Sequence, residues 1–240
     1  MTGGLAHEIK NPLSTIGLNI QLLQEDLDDM AGGHAPPSTI AEDKLNRIQR
    51  RFDSLRREAQ RLREILEDFL HFAGRMKLEL VPVDMNNLID ELTDFYEPQA
   101  KESGVKIRNQ FSSDSIIVNG DAKLLKQAVL NLLINATQAM INAKEQNEPH
   151  GGSNELMVHT QRQRTIGHDE IHIHVIDTGP GISKEITKKI FQPYFSTKRG
   201  GTGLGLPTTR RIIEEHEGSI SVHAEPGRGC DFHIVLPAVS

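Results

Sequence analysis

The chain has 240 residues, enough for one large domain or two modest ones, with 25% charged and 37% hydrophobic side chains. A formal net charge of -6 and an aromatic content of 4%, without tryptophan, argue against nucleic acid as a partner held by phosphate neutralisation or base stacking. No stretch approaches the roughly 20 apolar residues of a membrane span or the pattern of a signal peptide, and the lone Cys230 excludes an internal disulfide framework, so a cytoplasmic setting is expected.

The first patterned segment opens on His7-Glu8-Ile9-Lys10-Asn11-Pro12. Ile9, Leu13, Ile16, Ile20, Leu23, Leu27 and Met30 then alternate steps of four and three, the period of an amphipathic helix with a coiled-coil seam. Gly32 to Ser38 breaks the pattern with Gly, Pro and polar residues. The alternation resumes at Ala41, Leu45, Ile48, Phe52, Leu55, Ala59, Leu62, Leu66, Phe69 and Ala73. Two long helices joined by a short loop predict an antiparallel hairpin. Leu5, Leu18, Leu22, Ile65 and Phe72 lie off these seams. A second hairpin would cover them, so a dimeric four-helix bundle is expected.

From Leu78 the period changes. Leu78 to Val83 reads as a strand, Met85 to Ser103 as a helix, and Val105 to Phe111 and Ile116 to Val118 as short strands. Asp121 is a candidate N-cap for a long helix running to about Lys144. Gln146 to Asn154 is a second break, followed by strands at Glu155 to Arg164 and Asp169 to Asp177. A glycine-rich loop, a helix through Glu215, and strands at Ser219 to Ala224 and Cys230 to Leu236 complete the chain. Strands mixed with segregated helices predict a two-layer α/β sandwich. The fold class is therefore α+β, with domains expected at 1–76 and 77–240.

His7 lies about 200° around the helix from Ile9, away from the seam, while Asn11 shares its face one turn on. A neutral exposed imidazole is a nucleophile near neutral pH. Glu8 can accept the other ring proton, and Asn11 can orient a water towards a phosphorylated His7. Pro12 removes a backbone donor and can bend the helix.

Asn131 and Asn135 lie one turn apart on a helix that is otherwise apolar between Val129 and Ala139, so each needs a partner. An amide oxygen there can ligate Mg²⁺ beside a phosphate chain. Asp177 at the end of a strand can accept from an adenine amino group, and Gly179 and Gly181 permit close backbone approach. Gly200-Gly201-Thr202-Gly203-Leu204-Gly205 leads into a helix with Pro207 in its first turn, an arrangement that offers backbone N–H groups to an anion. Lys184, Lys188, Lys189, Lys198 and Arg199 lie around Phe191 and Phe195 and read as a basic lid, with Lys198 the first choice for a phosphate contact.

In this order the motifs resemble those of two-component sensor histidine kinases over nearly the whole chain. His7 to Leu13 resembles the phosphoacceptor box, Asn131 to Ala136 the N-box and Asp177 to Gly181 the first glycine box. Phe191 to Phe195 resembles the F-box and Gly201 to Gly205 the second glycine box. The last four belong to the GHKL (Bergerat) ATP fold of gyrase and Hsp90-type chaperones, and His-Glu-Ile-x-Asn-Pro is similar to the nitrogen-regulation subgroup. The resemblance implies that His7 takes the γ-phosphate of Mg-ATP and passes it to an aspartate of a response regulator. It further implies that Asn135 ligates Mg²⁺, that Asp177 reads adenine, and that Glu8 and Asn11 serve kinase and phosphatase steps. A moving hinge at Gly74 to Lys77 follows from the need for the two domains to approach. An upstream sensor domain or protein outside this chain is also expected. Two other readings are a non-catalytic ATP-binding dimeric scaffold, and a serine kinase on the same ATP fold, against which the long hairpin speaks.

Strand alternation puts Ile171, Ile173 and Val175 on one sheet face and His172 and His174 on the other. If the strands are neighbours, His159, His223 and His233 join them in a patch open to protons or metal ions.

Overall fold

The computed structural model describes residues 2–31, 38–74, 76–145, 153–164, 169–198 and 201–239. The expected breaks at 32–37 and 146–152, Arg75 of the expected hinge, and Arg199 and Gly200 lie outside the described residues. Contacts divide the chain into two compact units, one of Met1–Gly74 with Lys198–Thr202 and one of Arg75–Thr197 with Gly203–Ser240.

The first unit is a hairpin of α1 (Thr2–Ala31) and α2 (Ser38–Ala73). The first helix runs through Pro12 without interruption. Each heptad seam splits into two rows of period seven, and the hairpin covers only one of them. Leu23 and Ile48 are buried and Ile9, Ile16, Leu55, Leu62 and Phe69 are half-buried. The alternate row stays in solvent, with Leu13, Ile20, Leu27, Leu45, Phe52 and Leu66 all about half exposed or more. This corrects the expectation that off-seam residues are the uncovered ones. Ile65 is buried within the hairpin at 2% exposure, while Leu18 at 57% is open. The two helices of the hairpin therefore meet along one row of each seam and leave the other on its flank. Asp26 also turns inward, and Arg51 Nη1 lies 2.8 Å from its Oδ2. Among the described residues no helix is long and apolar enough to cross a membrane.

The second unit places β1 (Val81–Asp84), α3 (Met85–Glu102), β2 (Lys106–Gln110), β3 (Ile117–Gly120), α4 (Ala122–Glu145), β4 (Glu155–Arg164) and β5 (Asp169–Asp177) before the glycine loops. It continues with α5 (Lys184–Thr187), α6 (Gly205–Glu215), β6 (Ser219–Glu225) and β7 (Gly229–Pro237). Five strands form a sheet of order β2-β4-β5-β7-β6, parallel only between β2 and β4, and β1 pairs antiparallel with β3. Strand formation begins at Val81 rather than at the expected Leu78, because β1 pairs only along the four residues of β3. The helix α5 was not expected; Ser183 caps it by accepting from the Ile186 N–H at 3.4 Å.

Alternation sets the layers. Leu156, Val158, Ile171, Ile173, Val175, Phe232, Ile234 and Leu236 face inward, buried against Leu88, Ile89 and Leu92 of α3, Leu125, Val129, Leu132 and Leu133 of α4, and Ile212 and Ile213 of α6. Asp121 caps α4 as expected, its Oδ1 accepting from the Lys123 and Leu124 N–H groups. Asp84 does the same for α3, with Oδ1 accepting from Asn86 and Asn87. Burial alone would raise the Asp121 carboxyl, but the N–H groups of Glu79, Leu124 and Lys123, with His216 nearby, hold it below the usual carboxylate range. His216 is itself buried, accepting the Asp121 N–H on Nε2 at 2.9 Å and donating from Nδ1 to the Ile212 carbonyl at 2.7 Å, which ties α6 to the start of α4.

Candidate functional site

His7 and Glu8 fall in the second turn of α1; their side chains lie outside the described residues. Asn11 is exposed one turn further on, and its carbonyl accepts from Thr15 Oγ1 at 3.2 Å. Pro12 has no N–H to give the Glu8 carbonyl, so the helical ladder has a gap beside the histidine.

The second constellation is built along α4. Asn131 Nδ2 lies 3.5 Å from both the Gly205 carbonyl and Thr209 Oγ1, at the start of α6. This partnership accounts for one of the two amides that looked misplaced in an apolar helix. Asn135 follows on the same face, and a Cβ built on Gly205 would come within 3.9 Å of its Nδ2. Further along α4, Met140 Cγ would lie 3.4 Å from a Cβ on Gly179. Nine residues of helix, about 14 Å, therefore separate the α6 end of the cleft from the Gly179 end, a span on the scale of an extended nucleoside triphosphate.

At the Gly179 end, Asp177 is 3% exposed, and its Oδ1 accepts from the Gly179 N–H at 2.8 Å. Its backbone stands opposite Leu156 on β4 and Cys230 on β7. Gly229, with φ of 92°, is required there because a Cβ would run into the Asp177 carbonyl. Gly181, at φ 65°, is closed in by the Glu225 carbonyl in the same way. Burial, then the charge of Asp177, push the Cys230 thiol up to about 12, which leaves it an inert filler. Thr178 Oγ1 accepts from the Glu155 N–H at 2.9 Å and donates to the Ser153 carbonyl, fixing the turn after β5 to the start of β4.

At the α6 end, Leu204 occupies the N-cap position with no side-chain hydrogen bond. As a leucine it offers the N–H groups of the first turn of α6 no acceptor of its own, which suits a bound anion. Gly203, at φ 63°, leaves no room for a side chain, since a Cβ would meet the backbone of Tyr194 and Phe195 at 2.7–2.8 Å. The Tyr194 N–H donates to the Gly203 carbonyl at 3.1 Å, so the aromatic segment and the second glycine loop are laced together. Arg210 on α6 stands over the Phe191 ring, 5.9 Å from its centroid. Lys184, Lys188 and Lys189 are exposed. Lys198 is half-buried in the loop before α6, its carbonyl accepting from the Gly201 N–H at 3.4 Å.

Within the second unit, Gly205 near Asn135 and Gly179 near Met140 thus both stand against α4, with Asn131 tied to the start of α6 and Asp177 to Gly179. Thr209, Met140, Thr178 and the left-handed Tyr194 (φ 65°) were not singled out from sequence. Only Thr209 carried a legible signal, lying one helical turn beyond Gly205.

Comparison with known proteins finds two families in order along the chain. The His Kinase A (phospho-acceptor) domain family matches residues 1–75, and the family of histidine kinase-, DNA gyrase B- and HSP90-like ATPases matches residues 120–240. Sporulation kinase A of Bacillus subtilis is 32% identical over 237 residues, 99% of this chain and 34% of the relative. The signal transduction histidine-protein kinase AtoS of Escherichia coli is 31% identical over 237 residues, again 99% of this chain and 34% of the relative. The chain thus spans about a third of the length of these curated relatives. Among solved structures, histidine kinase ThkA in complex with the response regulator protein TrrA aligns with a TM-score of 0.69 at 25% identity, over 100% of this chain and 61% of that one. The isolated catalytic domain of ThkA aligns with a TM-score of 0.56 at 28% identity, over 66% of this chain and 95% of that one. The chain belongs to the histidine kinase-, DNA gyrase B- and HSP90-like ATPases, as a member that couples this domain to a His Kinase A domain in the arrangement of two-component sensor histidine kinases.

Proposed function

We propose that the chain is a protein-histidine kinase core that phosphorylates itself on His7 at the expense of ATP and hands the phosphoryl group to an aspartate in the receiver domain of a response regulator. The observation that supports this most strongly is the cleft along α4. A buried carboxylate at Asp177 sits at one end, and at the other two amides face a helix start that lacks a side-chain cap.

In this reading Asp177 accepts from the adenine amino group while Gly179 and Gly181 bring the backbone close to the base. The first turn of α6 and the glycines 201, 203 and 205 receive the phosphate chain, and Lys198 supplies a positive charge beside it. Asn131 holds the start of α6 in place, and Asn135 contributes its amide oxygen to Mg²⁺. The metal ion, when bound, neutralises phosphate charge and favours in-line displacement. The free ring nitrogen of His7 attacks the γ-phosphorus, the bond to the bridging oxygen breaks, and ADP leaves with that electron pair. Glu8 accepts the hydrogen bond from the other ring nitrogen and stabilises the cation that forms. An aspartate oxygen of the regulator then attacks phosphorus and the P–N bond breaks. Asn11 positions a water for the phosphatase step, one turn from His7.

The domains are 1–76 for dimerisation and phosphoacceptance and 77–240 for ATP binding. The exposed row of Leu13, Ile20, Leu27, Leu45, Phe52 and Leu66 supports a homodimer in which two hairpins close a four-helix bundle. The sensory input comes from a domain or protein beyond this chain, and the lone cysteine suits a cytoplasmic location.

Calorimetric titration with Mg-ATP tests the cleft. Wild type is expected to bind, Asp177→Asn to lose about tenfold or more in affinity, and ADP to compete. Equal affinity in both proteins would refute the adenine role of Asp177.

A further inference from the structure

The outer face of the five-stranded sheet, opposite the helices, carries a cluster of histidines that the nucleotide cleft does not use. His174 on β5 and His233 on β7 are register partners whose rings stack 4.2 Å apart and 7° from parallel. His172 lies 5.0 Å from His233 ring to ring, and the two share a hydrogen bond between Nδ1 of His172 and Nε2 of His233 at 2.8 Å. His159 on β4, paired with His174, extends the row at 5.9 Å. Asp231 holds His174 Nδ1 with both carboxylate oxygens at 3.0 Å. Glu170 Oε2 lies 3.4 Å from His172 Nε2, a buried nitrogen with no hydrogen-bond partner.

Stacked imidazoles that share a hydrogen bond, with a carboxylate on one of them, are groups whose common ligand is the proton. We propose that the His159, His172, His174 and His233 cluster is an acid-sensing device that loosens the β5–β7 pairing, and with it the nucleotide cleft, when His233 takes up a proton. The link to nucleotide binding rests on the function proposed above.

A charge on His233 would sit between two imidazoles at stacking distance in a half-buried place. Asp231, on its own strand, is already engaged with His174. Among the described residues the other ionisable groups on this face are Glu170 on β5, Glu155 and His159 on β4, Lys106 and Arg108 on β2, and His223 and Glu225 on β6, with His223 opposite Asp231 and Arg108 paired to Glu155. On β2 the position opposite His159 is the uncharged Gln110. Burial, then the neighbouring His174 and His172, hold the His233 imidazole below its ordinary value, with Asp231 pulling the other way. Because the folded value lies below the unfolded one, the neutral ring's contribution to stability is complete above about pH 6.5 and is lost as pH falls through the folded value. The output is built into the same two strands. Three residues beyond the His174–His233 pair, β5 and β7 present Asp177 opposite Cys230 at the adenine end of the cleft.

The test compares wild type with His233→Gln at about pH 7.5 and 5.5, by thermal melting without nucleotide and by ATP affinity. Acidification should lower the wild-type melting temperature by about 3 °C more than that of the variant. It should also weaken wild-type ATP binding about threefold more. Equal melting losses in both proteins would overturn the device. A melting difference with equal affinity losses would overturn its coupling to the cleft. Absence of ATP binding at either pH would instead refute the proposed function, leaving the melting comparison to decide the device. Should His233→Gln fail to fold, His172→Gln is read in the same way, and the NMR titration of His233 in the wild type should have its midpoint below the ordinary histidine value. A midpoint at or above that value sinks the proposal.

Discussion

Gly229 places its Cα where any Cβ would run into the carbonyl oxygen of Asp177, and it does so at a φ of 92°. Gly229→Ala is expected to destabilise the ATP-binding unit by about 2–4 kcal/mol, read from urea unfolding. Gly227, also at positive φ but with open space around it, should cost less when replaced by alanine. Asn135→Ala is the complementary case. The side chain is half-buried beside Gly205, so the fold should survive while autophosphorylation falls by about 10²-fold or more. A melting temperature lowered in parallel with activity would make Asn135 structural instead. At this scale the sequence was a good guide to which residues gather but a poor one to why. Two amides in an apolar helix announced a need for partners, and Thr209 with the Gly205 carbonyl meets that need for Asn131. Nothing local foretold that Tyr194 adopts a left-handed backbone, whose N–H is given to the Gly203 carbonyl nine residues on.

The hairpin shows what periodicity can and cannot say about an element. A three-four alternation identifies the helices and their apolar stripe, but its two rows are equivalent in sequence, and only packing decides which turns inward. Ile9, Ile16 and Leu23 turn in, whereas Leu13, Ile20 and Leu27 do not. Asp26 breaks the apolar rule on the buried side. Arg51 lies 2.8 Å away yet off the line of a hydrogen bond, so the pair is held by charge more than by directed bonding. Asp26→Leu should therefore cost about 2 kcal/mol by stranding Arg51, whereas the double replacement with Arg51→Met should recover most of that loss. Denaturant midpoints of the two variants check this, and equal loss in both would show that Asp26 matters for something other than its arginine. In the sheet, alternation located β4 and β5 to the residue and β6 and β7 to within one, because burial on one face leaves a clean two-residue period. The strand β1 was read three residues too early. Leu78 and Leu80 are apolar, but pairing with β3 is available only from Val81.

For the molecule as a whole, the hairpin's uncovered row predicts assembly. Leu13→Gln with Leu27→Gln removes two half-exposed apolar side chains from that row and should shift sedimentation from dimer to monomer. A wild type that sediments as a monomer would contradict the four-helix bundle. The central claim is that a nucleotide held along α4 gives its terminal phosphate to an imidazole on α1. Incubation with ATP labelled in the γ-position tests it most directly. The account predicts label on the protein that is lost in acid and retained in alkali, present in the wild type and absent from His7→Gln and Asn135→Ala. Label that survives acid, or that persists unchanged in His7→Gln, would contradict it.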